Sequence, residues 1–256
     1  MTQPASTTAE SVRIDVAMVL AAGLGTRMRP LTLKTPKPLI PVGGKPMLDH
    51  VFDRLRAHGV RRAVVNMHWL AEQIETWAAR QSPPPEIRLS DERGELLETG
   101  GGIRKALPLL ATEGPFYVLN ADSFWLEAPE GPPALARLQA AWNDSAMDCL
   151  ALTVPLKRAV GYAGAGDFVM DAAGRVRRGK GEGAEAFTGV YVVHPRLFEH
   201  APEGPFSMNK LFDVAMAAGR MYAVSHTGLW LHVGTPEAIA EAEAAMTAWP
   251  KGSAPA

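Results

Sequence analysis

"VLAAGLGTRMRPLTLKTPKPLIPVGGKPM", Val19–Met47, breaks an apolar strand into glycines, sets two arginines among them and interleaves lysines with prolines before any helix begins. In an open α/β sheet, ligands lie outside the carboxyl ends of the strands, so a loop in this position is where a substrate belongs. Gly23 and Gly25 let the backbone come close to it. The run is not a dinucleotide fingerprint, because Gly23, Leu24, Gly25, Thr26, Arg27 and Met28 lack the third glycine. Nor is "GGKP" around Lys45 a Walker A loop, since no Ser or Thr follows the lysine. Arg27 and Arg29 offer donor forks for phosphate oxygens. Pro36 and Pro38 restrict the backbone on either side of Lys37. Together they read as a cationic cradle for a polyphosphate, with a solvated basic loop as the alternative.

Outward from this stretch the pattern alternates. "VAMVLAA" from Val16 is a buried strand, and "MLDHVFDRLRAHG" spaces Leu48, Val51, Phe52 and Leu55 as a helix that Gly59 closes. "RRAVVNM" is strand, "LAEQIETWAAR" helix and "EIRLS" strand; the polar, glycine-rich "DERGELLETGGG" then precedes a helix "IRKALPLL" and a strand "PFYVLNAD". Beyond Asp122 follow the helix "ALARLQAAW", the strand "DCLALTVPL", extended segments joined by turns from Gly161 to Pro195, and the helix "FSMNKLFDVAMAAG". Strands "MYAVSH" and "LWLHVG" come next, and a last helix has Thr235 and Pro236 at its N-cap and first position. This alternation predicts a Rossmann-like, mixed and mostly parallel sheet flanked by helices. The expected organisation is one domain over residues 16–247, with a nucleotide-binding half to about 125, a sugar-binding half from about 126, and tails at 1–15 and 248–256.

The 256 residues carry 26 Lys plus Arg against 27 Asp plus Glu, and a net charge of -1 gives no general attraction to nucleic acid or anionic lipid. Phosphate binding must be local. The single Cys149 lies in the apolar "MDCLALTV", far from any cation, which predicts a buried structural thiol rather than a nucleophile. No segment has the apolar length of a membrane span, and "MTQPASTTAESVRID" lacks a signal's apolar core, so the expectation is a cytoplasmic protein, a monomer or small homo-oligomer. Trp69, Trp77 and Trp142 read as core, and "RVRRGK" as a solvated turn.

The stretch "LAAGLGTRMRPLTLKTPKPLIPVGGKPMLDH" resembles the signature of nucleotidyltransferases that join a sugar 1-phosphate to a nucleoside triphosphate. The likeness runs from Val16 to about Met246. Within that family, "NMHWL", "LLETGGGIRKALPLL", "NAD", "GAGDF", "FTGVYVVHP" and "VGTPEAIAEAE" most resemble N-acetylmuramate-1-phosphate uridylyltransferases of cell-wall recycling. The alternatives are a mannose-1-phosphate guanylyltransferase and a non-catalytic regulatory relative. The resemblance implies that Gly25, Thr26 and Arg27 wrap the triphosphate, that Lys37 contacts phosphate at the reacting centre, and that Ala22 and Gly23 meet the nucleoside. It implies that Thr99 and Gly100 help to hold the base, "ETGGG" replacing the commoner loop. Asn120 faces the crevice, and Asp122 matches the family's metal-binding aspartate. Asp167 and Thr188 fall at sugar-contacting positions, and Trp230 shapes the sugar pocket.

The family's second metal ligand is an aspartate before "VGT"; here "LWLHVGT" has His232. Mg²⁺ is the implied cofactor, with Mn²⁺ suited by the imidazole. Three roles stay open for His232: a ligand with altered metal preference, a group behind the ligands, or the mark of a weakened site. "GKGEGAE" also stands where an "EKP" segment would contact the sugar phosphate.

Overall fold

The computed structural model describes residues 12–250. Of the tails expected at either end, residues 1–11 and 251–256 lie outside the described residues. Elements run β1 (Val16–Leu20), β2 (Pro41–Val42), β3 (Lys45–Pro46), α1 (Met47–His58), β4 (Arg62–Met67), α2 (Ala71–Ala79), β5 (Glu86–Asp91), α3 (Glu98–Leu110), β6 (Phe116–Asn120) and β7 (Ser123–Leu126). They continue α4 (Ala134–Ala141), β8 (Cys149–Pro155), β9 (Ala159–Val160), β10 (Phe168–Met170), β11 (Val176–Arg178), β12 (Ala184–Val193), α5 (Asn209–Ala217), β13 (Met221–Ser225), β14 (Leu229–His232) and α6 (Glu237–Ala248).

The main sheet follows the order β11-β10-β12-β6-β1-β4-β5, with β8 on β12 and β13 on β8. Strands β5, β4, β1 and β6 are mutually parallel; β12 then pairs antiparallel to both β6 and β8. The apolar runs are continuous because both faces are covered. In β1, Ala17 and Val19 pack with α1, α2 and α4, while Val16 and Met18 pack with α3 and α5. Helix α1 ends as its sequence predicts, with Gly59 at φ 82° closing the last turn on the Leu55 and Arg56 carbonyls.

A small second sheet, β7-β14-β9, lies beyond the carboxyl end of β6. Its Phe124 and Leu231 join Met28, Ile40 and Val42 of the opening loop and Ala238 and Ala242 of α6 in a separate apolar cluster. Glu243 of α6 accepts the Gly43 N–H at 2.9 Å across 200 residues. The signature loop is thus braced by the end of the chain.

Several helix starts differ from the sequence reading, α5 for one opening at Asn209 rather than Phe206. Helix α3 begins at Glu98, five residues earlier than expected, and takes the three glycines into its first turns. A side chain there would collide with its surroundings: at Gly101 with the Gly204 carbonyl, and at Gly102 with Glu92 Oε1 at 2.7 Å. Close packing outweighs glycine's poor helix propensity. Helix α6 begins at Glu237, one residue past Pro236, a shift within the fraying of any helix end. Cys149 is buried as expected, and burial pushes its thiol pKa well up. No helix among the described residues is long and apolar enough to cross a membrane.

Candidate active site

Where β1 ends, the Ala21 N–H donates to Asn66 Oδ1 at 2.7 Å, and the chain turns to line a cavity of about 420 Å³ with Ala22, Gly23, Gly25, Thr26 and Arg27. Gly25 stands at φ 61°, and a side chain on it would meet Thr32 Cγ2 at 2.8 Å. Thr32 instead donates its hydroxyl to the Gly25 carbonyl at 2.8 Å, closing the loop on itself. Trp69 was expected in the core; it is 37% exposed, and its Nε1–H donates to the Thr32 carbonyl at 2.7 Å, pinning the loop from outside. Fully buried Met28 anchors the loop, while Arg27 stays exposed.

Lys37 is 7% exposed, and its Nζ reaches Asp122 Oδ2 at 3.0 Å. The prolines around it have brought the ammonium to one place, beside the carboxylate. Burial works to raise the pKa of Asp122, and the Lys37 ammonium, helped by His232 and Arg27, outweighs it and holds the carboxyl below its ordinary value. The carboxylate is ionised and partly open to the cleft.

Much of the facing wall is built from residues for which sequence reading gave no role. Asn66 Nδ2 donates to Glu92 Oε1 at 2.8 Å, and Glu92 Oε2 accepts the Leu97 N–H at 3.2 Å. Glu92, 1% exposed, therefore joins the glycine loop to the start of α3. The available signal was a polar Asn inside the buried strand "RRAVVNM", which needs partners. Glu98 lines the cavity at φ 58°, a left-handed conformation costly for a residue with a side chain. Thr99 also lines it, and its Oγ1 accepts the Met208 N–H at 2.8 Å. Gly100 does not: it is buried, its N–H donates to the Phe206 carbonyl at 2.8 Å, and its bare Cα lies against the Phe206 ring. Its place is a packing contact with Phe206, outside the cavity lining.

A second cavity of about 570 Å³ adjoins the first, and Arg27, Thr99, Asn120 and Asp122 line both. Asp167 and His232 lie in its wall with Tyr162. Asp167 Oδ2 accepts the Tyr162 hydroxyl at 3.0 Å and the Phe187 N–H at 2.8 Å. Thr188 also borders it, but its hydroxyl is engaged with the Leu152 carbonyl at 2.7 Å and the residue is 1% exposed, so it serves the strand more than a ligand. Trp230 is 4% exposed, its ring 5.2 Å from that of His232, and its indole N–H has no acceptor among the described residues. Arg178, read as solvated from "RVRRGK", borders the cavity too.

His232 pairs in register with Ser123, next to Asp122. Burial lowers its pKa, against the pull of Asp122, and Lys37 and Arg27 lower it further, so the imidazole is neutral at neutral pH with a lone pair to offer. Among the described residues no three His, Cys, Asp or Glu gather to hold a metal by themselves. One ionised carboxylate and one neutral imidazole fit a divalent cation that completes its shell with phosphate oxygens and water.

A family model described as nucleotidyl transferase matches residues 16–248. The chain is 44% identical over 236 residues to N-acetylmuramate alpha-1-phosphate uridylyltransferase of Caulobacter vibrioides, covering 90% of this chain and 96% of that protein. It is 38% identical over 239 residues to the protein of the same name from Neisseria meningitidis, covering 91% and 99%. Mannose-1-phosphate guanylyltransferase catalytic subunit beta of Danio rerio is more distant, at 31% identity, and the match spans 61% of its length. Among solved structures, HddC from Yersinia pseudotuberculosis complexed with GMP-PN superposes with a TM-score of 0.72 at 23% identity, covering 91% of this chain and 100% of that one, a likeness of fold.

Proposed function

Because the chain belongs to the nucleotidyl transferase family, we propose that it transfers a uridylyl group from UTP to N-acetylmuramic acid 1-phosphate, releasing pyrophosphate, as a cytoplasmic enzyme of cell-wall sugar recycling. The observation that carries this reading is the meeting of two cavities at Arg27 and Asp122, with Lys37 beside the carboxylate. The half of the chain to about residue 125 supplies the nucleoside side, through Ala22, Gly23, Thr26 and Thr99. The half from about 126 supplies the sugar side, through Asp167, Trp230 and His232. The relatives named for the N-acetylmuramate reaction match over nearly their full length, which favours that sugar over mannose.

A phosphate oxygen of the sugar 1-phosphate is already an anionic nucleophile, so no Ser-His or Cys-His pair is required. It attacks the α-phosphorus, the bond to the bridging oxygen breaks, and the electron pair leaves on pyrophosphate. The protein's task is to hold the groups in line and to balance the growing charge. Arg27, exposed at the junction, is poised for the phosphates. Lys37 is held by Asp122 until substrate arrives and then stands within reach of the same oxygens. Asn120 closes the floor between the two cavities. A divalent ion, Mg²⁺ or the Mn²⁺ that an imidazole suits, would be held by Asp122 and His232 and would supply charge neutralisation on the triphosphate.

The test is pyrophosphate release across the four nucleoside triphosphates and the 1-phosphates of N-acetylmuramic acid, mannose, glucose and N-acetylglucosamine, each with Mg²⁺ and Mn²⁺. Activity confined to UTP and N-acetylmuramic acid 1-phosphate is expected; a preference for GTP and mannose 1-phosphate would overturn the reading.

A further inference from the structure

We infer that Arg178 recognises a carboxylate borne by the sugar ring and so selects an acidic sugar 1-phosphate over neutral ones. The inference rests on the transferase reading above. Arg178 closes β11, the edge strand of the main sheet, and its side chain borders the sugar-side cavity. Its guanidinium is fixed in place. Nε and Nη2 donate to Asp213 Oδ1 at 3.0 and 2.9 Å, Nη2 donates to Asn209 Oδ1 at 2.9 Å, and the cation lies 5.3 Å from the centre of the Phe168 ring. Nη1 has no hydrogen-bond partner among the described residues, and the side chain is 44% exposed. An arginine held along one edge and one face, with donors left over, is preorganised for a planar anion.

Two anions of the substrate could answer: its phosphate or a carboxylate on the ring. Position decides between them. The reacting phosphate must lie where the cavities meet, at Arg27 and Asp122, and Arg178 borders only the sugar-side cavity. From β6, whose end carries Asn120, the sheet runs through β12 and β10 to β11. Those three strand spacings amount to about 14 Å across the sheet, and the register adds a shift along it, since Arg178 stands opposite Phe168 and Phe168 opposite Glu185, while Leu119 beside Asn120 stands opposite Val190. An arginine side chain covers part of that separation and a pyranose with its substituents the rest, so the group that reaches Arg178 is a ring substituent remote from the phosphate. N-acetylmuramic acid has one, the carboxylate of its lactyl ether, and N-acetylglucosamine, otherwise the same sugar, does not.

The experiment measures kcat/KM with UTP for the 1-phosphates of these two sugars in the wild-type protein, Arg178→Ala and Arg178→Lys, with thermal melts alongside. Arg178→Ala should lower the ratio of acidic to neutral sugar about ten- to a hundred-fold, the range of a hydrogen bond to a charged group. The loss should sit in KM. Arg178→Lys should restore part of it. Asp213→Asn, which loosens the anchor and keeps the arginine, should raise KM for the acidic sugar several-fold, and it carries the test if Arg178→Ala does not fold. An equal fall for both sugars, or an unchanged ratio, overturns the role of Arg178 alone. Failure of the wild-type protein to turn over the acidic sugar overturns the transferase reading and the inference with it.

Discussion

Replacing Gly100 by alanine sets two calculable effects against each other. Within a helix, Gly→Ala gains about 1 kcal/mol of stability. Here, however, the added methyl would stand 2.5 Å from Cδ2 and 2.9 Å from Cζ of Phe206, and closer still to Cε2. Phe206 is 2% exposed and cannot swing into solvent, and its carbonyl is tied to the Gly100 and Gly101 N–H groups at 2.8 and 3.1 Å. Overpacking a closed core costs about 1–3 kcal/mol, and three sub-contact approaches to one boxed ring place this case in the upper part of that range. The net expectation is a loss of about 1–2 kcal/mol, read as a lower urea midpoint at unchanged slope. Pairing it with Phe206→Leu should recover part of the loss, giving a coupling energy that a propensity effect alone would not produce. Because Met208, two residues past the ring, bonds Thr99, KM for the nucleoside triphosphate should rise as well. A variant equal to or more stable than the wild type would refute the packing argument.

Other outcomes follow from the same geometry. Arg27→Ala should cut kcat about 10²- to 10³-fold, the size of losing one preorganised donor to developing charge, with an unchanged melting temperature; normal turnover would remove Arg27 from the phosphate cradle. His232→Asp should move the metal preference towards Mg²⁺, and an identical activity profile across Mg²⁺ and Mn²⁺ would mean that His232 never meets the ion. Glu98→Gly relieves a left-handed φ of 58° and should raise stability by up to about 1 kcal/mol; a fall would show that the Glu98 side chain contributes more than its strain costs. Asp148 is partly buried, which raises its pKa, but Arg220 and Arg196, at 2.8 and 2.7 Å, bring it below the ordinary value. A depressed folded pKa means that this stabilisation is present above the unfolded value of about 3.9 and is lost as pH falls through the lower folded one. Asp148→Asn should therefore cost stability at pH 7 and progressively less below pH 4; a constant difference would contradict it.

The alternation of strands and helices was legible because β1, β4 and β6 are buried on both faces and advertise it as unbroken apolar runs. Gly59 marked the end of α1 because a left-handed cap is local chemistry. The start of α3 was not legible: three glycines look like a breaker until Phe206 and Gly204, a hundred residues away, are seen filling the space where side chains would be. The pairing of Lys37 with Asp122 across 85 residues was likewise closed to any local reading, though each residue was singled out separately. The basic run "RVRRGK" is solvent-facing as expected, but it forms an edge strand rather than a turn, and the partners that fix Arg178 lie on α5, out of reach of a local reading. Asn66 carried the one overlooked clue, a polar group embedded in a buried strand, and its partner Glu92 lies just past the end of β5. The family resemblance placed Gly100 at the base; its role in packing comes from the aromatic ring that this chain sets against it.

The brace between α6 and the signature loop also bears on how the protein is made. The loop leaves the ribosome roughly two hundred residues before Ala238, Ala242 and Glu243, which pack against it or bond it. A nascent chain can assemble β1, β4 and β6 early, yet its phosphate cradle lacks its far support until α6 docks. Nucleotide binding thus becomes a report on the docking of α6, and a chain without α6 would carry every residue of the signature loop without the scaffold that aligns them.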